Sequence, residues 1–143
     1  MTIQELRKRS NDFVANLDNH IASVVNFNIE LEELNRKQLR ESKLATDQAI
    51  TPPYKRRYAM WKQHYYPSSY TGKVNLFLTG DFYESLEIRA RAGEYSITSE
   101  VEYARDLAIK YGQITGIAPS NQAKAQEITA KLLAEKFKTL VLK

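Results

Sequence analysis

The residues that could carry acid–base or metal chemistry are few and scattered in this chain. Its two histidines, His20 and His64, lie far apart and neither has a partner at ligand spacing, so no His-x-x-x-His metal site is present. Cysteine is absent, which removes disulfides, thiolate metal sites and thiol nucleophiles together and suits a reducing compartment. The five glycines form neither a phosphate-cradling loop nor a Gly-x-Ser-x-Gly elbow. Carboxylates do occur in pairs, Glu32-Glu33 and Glu100/Glu102, but on expected polar helix faces, where solvated charge is the simplest role. His20, beside Asp18 and Asn19, reads as a surface or interface residue. The expectation is a protein that is not an enzyme and has no metal or cofactor.

Binding chemistry is better represented. Residues 1–47 carry seven Lys/Arg against eight Asp/Glu, and residues 81–143 carry nine of each. Residues 48–80 carry five cations and no acid, so the whole positive excess lies in the middle of the chain. There Lys55, Arg56, Arg57, Lys62 and Lys73 interleave with Tyr54, Tyr58, Trp61, Tyr65, Tyr66 and Tyr70. Cations with stacking rings suit single-stranded nucleic acid; Arg and aromatic rings also dominate protein–protein contacts. A protein interface comes first, ordinary core and surface second, and nucleic acid third. The candidate interface residues are Tyr54, Arg56, Arg57, Tyr58, Trp61, Tyr65 and Tyr66. With five cations against the roughly 6–10 phosphates that strong non-specific binders neutralise, DNA contact is expected to be weak or indirect.

The elements that must position these residues read as one α+β domain over residues 1–143. Hydrophobic residues make up 43% of it and charged residues 27%, a globular composition. Thr2-x-x-Glu5 is a capping box, and Leu6, Phe13, Leu17, Ile21, Val24, Val25 and Ile29 recur at helical intervals. Leu31 and Leu34 continue the pattern, which predicts a long helix over 1–44. Straight, it would span about 60 Å at about 1.5 Å per residue, so it must break near Asn26-Phe27-Asn28 or project towards another chain. Residues 45–73 form the basic aromatic loop, with a short helix over 54–64. Thr51-Pro52-Pro53 opens it and Pro67-Ser68-Ser69-Tyr70-Thr71-Gly72 closes it. Residues 74–98 read as a short strand, Val74 to Leu78, then a brief turn capped by Asp81-x-x-Glu84, then a β-hairpin. The hairpin alternates Leu86, Ile88 and Ala90 with charged residues and turns at Ala92-Gly93. Residues 99–143 read as two helices, one opened by Ser99-x-x-Glu102 and stopped at Gly112, the other capped by Ser120.

The segment from Val74 to Leu86, with Thr79-Gly80 followed by Phe82 and Ser85, resembles the Thr-Gly-x-Leu-x-x-Ser core of small tailed-bacteriophage proteins. These are the head–tail connector, tail-completion and Mu-like virion-morphogenesis proteins. The surroundings follow in order: a long helix, a basic Pro- and Tyr-rich loop with Tyr58 and Lys62, a hairpin, and a helix from Ala104 to Tyr111-Gly112. The similarity spans residues 30–118. Asp81-Phe82-Tyr83 departs from the basic residue and leucine usual after the glycine. The resemblance implies a virion structural subunit made in the host cytoplasm. It would form a ring-like homo-oligomer at the neck and touch portal, connector or tail proteins. It carries over no catalytic residue. Thr79, Gly80, Asp81 and Ser85 form its structural turn, where Gly80 permits a tight reversal, Asp81 can cap and Ser85 can bond locally.

No apolar run approaches the roughly 18 residues that cross a bilayer, and Met1 to Arg9 turns charged at once, so neither a membrane span nor a signal peptide is expected. The apolar stripe from Leu6 to Leu34 exceeds what the hairpin and two helices are expected to cover. The N-terminal helix and the 54–70 loop are therefore both expected at contacts with other chains.

Overall fold

The computed structural model describes residues 1–91 and 93–143, so the Ala92 half of the expected hairpin turn lies outside the described residues. The chain is α+β, mostly helical, with one two-stranded antiparallel sheet. Its elements are α1 (Ile3–Ala15), α2 (Leu17–Val25), α3 (Ile29–Arg40), α4 (Arg56–Tyr65), α5 (Asp81–Glu84), β1 (Glu87–Arg91), β2 (Glu94–Thr98), α6 (Ala104–Tyr111) and α7 (Pro119–Val141).

The expected helix over 1–44 is three helices. α1 opens with the capping box read from the sequence: Thr2 Oγ1 accepts from Glu5 N at 3.1 Å, and Thr2 N donates to Glu5 Oε2 at 2.8 Å. It stops at Asn16, whose side-chain amide donates to Asp12 O and so competes with the helical ladder. α2 stops at Asn26, where a stronger competitor intervenes. The edge of β1 takes over: Asn26 Oδ1 accepts from Ala90 N at 2.8 Å, and Phe27 N donates to Ile88 O at 2.9 Å. Phe27 sits at φ 58°, and Asn28 restarts the helix as N-cap of α3, accepting from Leu31 N at 3.0 Å.

These breaks fold the N-terminal third back on the rest of the chain, where α1, α2 and α3 lie along α7 and α2 lies along β1. Phe13 meets His20 at 4.3 Å in a stack and Phe137 of α7 edge-on at 5.2 Å. Phe13, Val25 and Leu31 are buried. This corrects the expectation that the N-terminal stripe needs a partner chain: α7 covers much of it. His20 is half-buried beneath Phe13 and not a surface contact.

α3 carries a buried polar row one turn apart. Glu32 Oε2 accepts from Ile88 N at 3.0 Å, Asn35 bonds Ile114 O and Gly116 N, and Gln38 bonds Gly116 O and Ala118 N. Glu32 is therefore no solvated charge, as its sequence position suggested; it supplies an acceptor that the β1 edge lacks. Glu33 is partly exposed and pairs with Arg40 and Arg36, while Glu100 and Glu102 are exposed.

Three further expectations change. Val74 to Leu78 is not a strand: Leu76 lies at φ 55° and the segment is irregular. The helix expected from Ser99 begins only at Ala104, after a turn. Ser120 does not cap α7; the helix starts at Pro119, and Ser120 N and Oγ donate to Asp47 instead. The hairpin pairs as read, with Glu87 opposite Thr98 and Arg91 opposite Glu94.

Candidate functional site: an aromatic helix face

α4 collects most of the basic aromatic segment and sorts it by face. On the outer face the rings form a continuous ladder. Tyr54 meets Tyr58 at 4.9 Å, Tyr58 meets Trp61 at 5.7 Å, and Trp61 meets Tyr65 at 5.8 Å and Tyr66 at 5.4 Å. The spacing follows from helix geometry, since residues three and four apart share a face. The ladder is wet: Trp61 is 42% exposed and Tyr65 63%. Arg56 and Arg57 are exposed beside it.

Beside that ladder, one turn on from Tyr58, Lys62 turns inward and is only 1% exposed. Its Nζ donates to Asn75 Oδ1 at 2.7 Å and sits 4.9 Å from the centre of the Tyr54 ring. It makes no ion pair among the described residues. Burial of the cation lowers its pKa to about 8. The sequence counts Lys62 among the five binding cations of this stretch; its burial removes it from that group.

Asn75, unremarked in the sequence, is the hub beneath α4. Its Oδ1 also accepts from Phe77 N at 3.1 Å, its Nδ2 donates to Ser69 O at 3.0 Å, and its carbonyl accepts from Tyr83 OH at 2.6 Å. A polar residue inside Val74-Asn75-Leu76-Phe77 was the available signal, since a lone amide in an apolar run is either wet or fully bonded. The bonds of this hub also explain why the segment is not a strand: the Asn75 side chain takes the Phe77 amide that a ladder would need.

Tyr54 is half-buried, its hydroxyl accepting from Leu76 N at 3.1 Å, and burial raises its pKa to about 12. With Tyr58 it lines a groove of about 550 Å³ that continues over Phe77 and Leu78 to Tyr103, Leu107 and Tyr111 of the α6 region. Lys55 and Lys110 stand at its rim, with Asp81 the one acid. The turn residues support this groove. Gly80 has φ 94°, and a Cβ there would lie 3.4 Å from the Phe77 ring. Asp81 opens α5 without capping it, because Gly80 occupies the N-cap position. Ser85 Oγ donates to Phe82 O at 2.6 Å and bonds Ser99 Oγ. Thr79 is exposed at the groove. Phe82 and Tyr83, the departure from the phage-protein pattern, are core residues.

This arrangement offers exposed rings and cations for binding. Among the described residues no three His, Asp or Glu side chains converge on a metal-sized site, and no helix is long and apolar enough to cross a membrane. Comparison with protein-family models, curated proteins and solved structures finds no match to this chain.

Proposed function

We propose that this chain is a structural subunit of a tailed-bacteriophage virion, a head–tail connector or tail-completion protein that acts by contact and not by catalysis. The observation that supports this best is the exposed Tyr58–Trp61–Tyr65 ladder on α4. Aromatic residues flanked by arginine form the energetic centre of protein contacts. A second feature agrees. Lys55, Arg56 and Arg57 crowd the start of α4 with no acid in its first turn, so three cations face the positive end of the helix dipole. That cost is offset when an acidic surface of a neighbour covers them. The neighbours are copies of the same chain in a ring, with one face of each meeting a different face of the next, and portal, connector or tail proteins. The protein is made in the host cytoplasm and ends in the virion.

Genetics tests the role directly. Phage lacking this chain should accumulate filled heads and free tails, and complete infectious particles in its absence would refute a neck function. Nucleic-acid binding through residues 54–73 is weaker, because the burial of Lys62 leaves four exposed cations, Lys55, Arg56, Arg57 and Lys73. Strong non-specific binders neutralise about 6–10 phosphates. Tight DNA binding with a steep salt dependence in a polarisation titration would reverse that order.

A further inference from the structure

The two edges of the hairpin are treated differently. Three groups of the outer edge of β1 are paired: Ile88 N and Ala90 N donate to Glu32 and Asn26, and Ile88 O accepts from Phe27 N. These bonds also settle which residues form the ladder. Ile88 and Ala90 turn their backbone groups away from β2, so Glu87, Arg89 and Arg91 exchange bonds with Thr98, Ser96 and Glu94. Alternation then points the amides and carbonyls of Tyr95 and Ile97 outward. Among the described residues none of these four groups has a hydrogen-bond partner. Their side chains are anchored, Ile97 in the core and Tyr95 through its hydroxyl to Thr129 Oγ1 at 2.7 Å, so the edge is held in place.

Protein edges of this kind are ordinarily blunted by lysine, proline or a bulge. β2, Glu94-Tyr95-Ser96-Ile97-Thr98, has no lysine or proline. Beside it runs a trench of about 740 Å³, whose far wall is the 113–117 segment and the first turns of α7. Its walls mix Ala45 and Ile117 with neutral polar side chains, Thr115, Gln113, Gln122 and Gln126, and Glu94 is the one charge. Past Thr98 a second hollow shares Gln113 and Thr115 and has Arg105 on its rim. The trench and this hollow together flank β2 with an acid at the Glu94 end and a base beyond Thr98.

We propose that the β2 edge is a strand-acceptor site for an extended segment of a partner protein, which adds to the sheet as a third strand. Four unpaired backbone groups at strand spacing recognise a main chain, as in strand-addition complexes. The charge order selects a segment that is uncharged in its middle, basic at the Glu94 end and acidic at the Arg105 end. A second copy of the hairpin is a poorer occupant, because its own flanking wall would enter the same trench. The site is separate from the α4 ladder and does not rest on the phage assignment.

Amide exchange on the intact chain tests it. In the free protein the Tyr95 and Ile97 amides should exchange at least about tenfold faster than those of Ser96 and Arg89, which lie in the ladder. The probe is the blocked octapeptide Glu-Thr-Val-Thr-Val-Thr-Val-Lys, antiparallel to β2, with its reversed-charge analogue for the parallel register. One of the two should protect both amides. N-methylation of alternate peptide amides should weaken binding tenfold or more, as should Gln126→Trp, which fills the trench from an exposed helix position. The proposal is overturned if neither charge order protects these amides at millimolar peptide, or if binding ignores N-methylation. It is overturned equally if the amides are already slow in the free protein, or become slow with rising protein concentration alone, which would assign the edge to a second copy.

Discussion

At the residue scale, Lys62 makes the sharpest prediction because its titration is separable from its neighbours. The folded lysine loses its proton near pH 8, whereas the unfolded one holds it to about 10.5. Between those values the unfolded state binds more protons, so stability should rise with pH, by about 3 kcal/mol at most. Tyr54 titrates oppositely: its folded pKa of about 12 exceeds the ordinary 10, so its contribution is lost only above pH 10. The clean window is pH 8–10. Urea denaturation should show wild-type stability climbing there and Lys62→Met staying flat; equal slopes would mean that Lys62 titrates normally. Gly80→Val belongs to the same scale. A β-branched residue at φ 94° against the Phe77 ring should cost about 1–3 kcal/mol, and a loss under about half a kcal/mol would contradict the observed turn.

At the element scale, α4 carries two separable properties. Trp61→Ala should leave the fold within about 1 kcal/mol of wild type, since Trp61 is exposed and its ring contacts are to Tyr58, Tyr65 and Tyr66 of the ladder. The same change should weaken assembly by about 2 kcal/mol or more, roughly thirtyfold, measured by analytical ultracentrifugation with the partner proteins. Unchanged assembly would remove the ladder from the interface. The cations give the opposite stability sign. Arg56→Glu should stabilise the isolated chain by a few tenths of a kcal/mol through the helix dipole while weakening a contact with an acidic partner. Assembly unchanged by this variant would show that these arginines face only solvent.

At the scale of the whole molecule, the main correction is that the N-terminal third packs along α7 and β1 of its own chain. Phe13 lies between α2 and α7, so Phe13→Ala should cost about 3–5 kcal/mol. Thermal unfolding of the isolated chain should show it as a large drop in Tm, whereas an N-terminal arm reserved for a neighbour would tolerate the change. If the proposed ring contact uses α4, light scattering at rising concentration should separate wild type from Trp61→Ala.

Part of the local chemistry, where a bond closes within one turn, was legible in the sequence. The Thr2–Glu5 box, the Gly112 helix stop, the hairpin alternation and the positive φ at Gly80 depend on residues a few positions apart. The break at Asn26–Asn28 was legible as a place but not as a cause, because the β1 backbone that captures Asn26 and Phe27 lies more than sixty residues on. The sequence reads Glu32 as solvated charge and Lys62 as a binding cation, yet both are buried because another group reaches them: the Ile88 amide for Glu32, the Asn75 amide oxygen for Lys62. The ring types at 54–66 announced a binding surface, yet only the fold could separate the exposed Trp61 and Tyr65 from the half-buried Tyr54. A polar side chain is wet or buried according to whether a partner reaches it, and that partner is placed by chain reversals that no local spacing encodes.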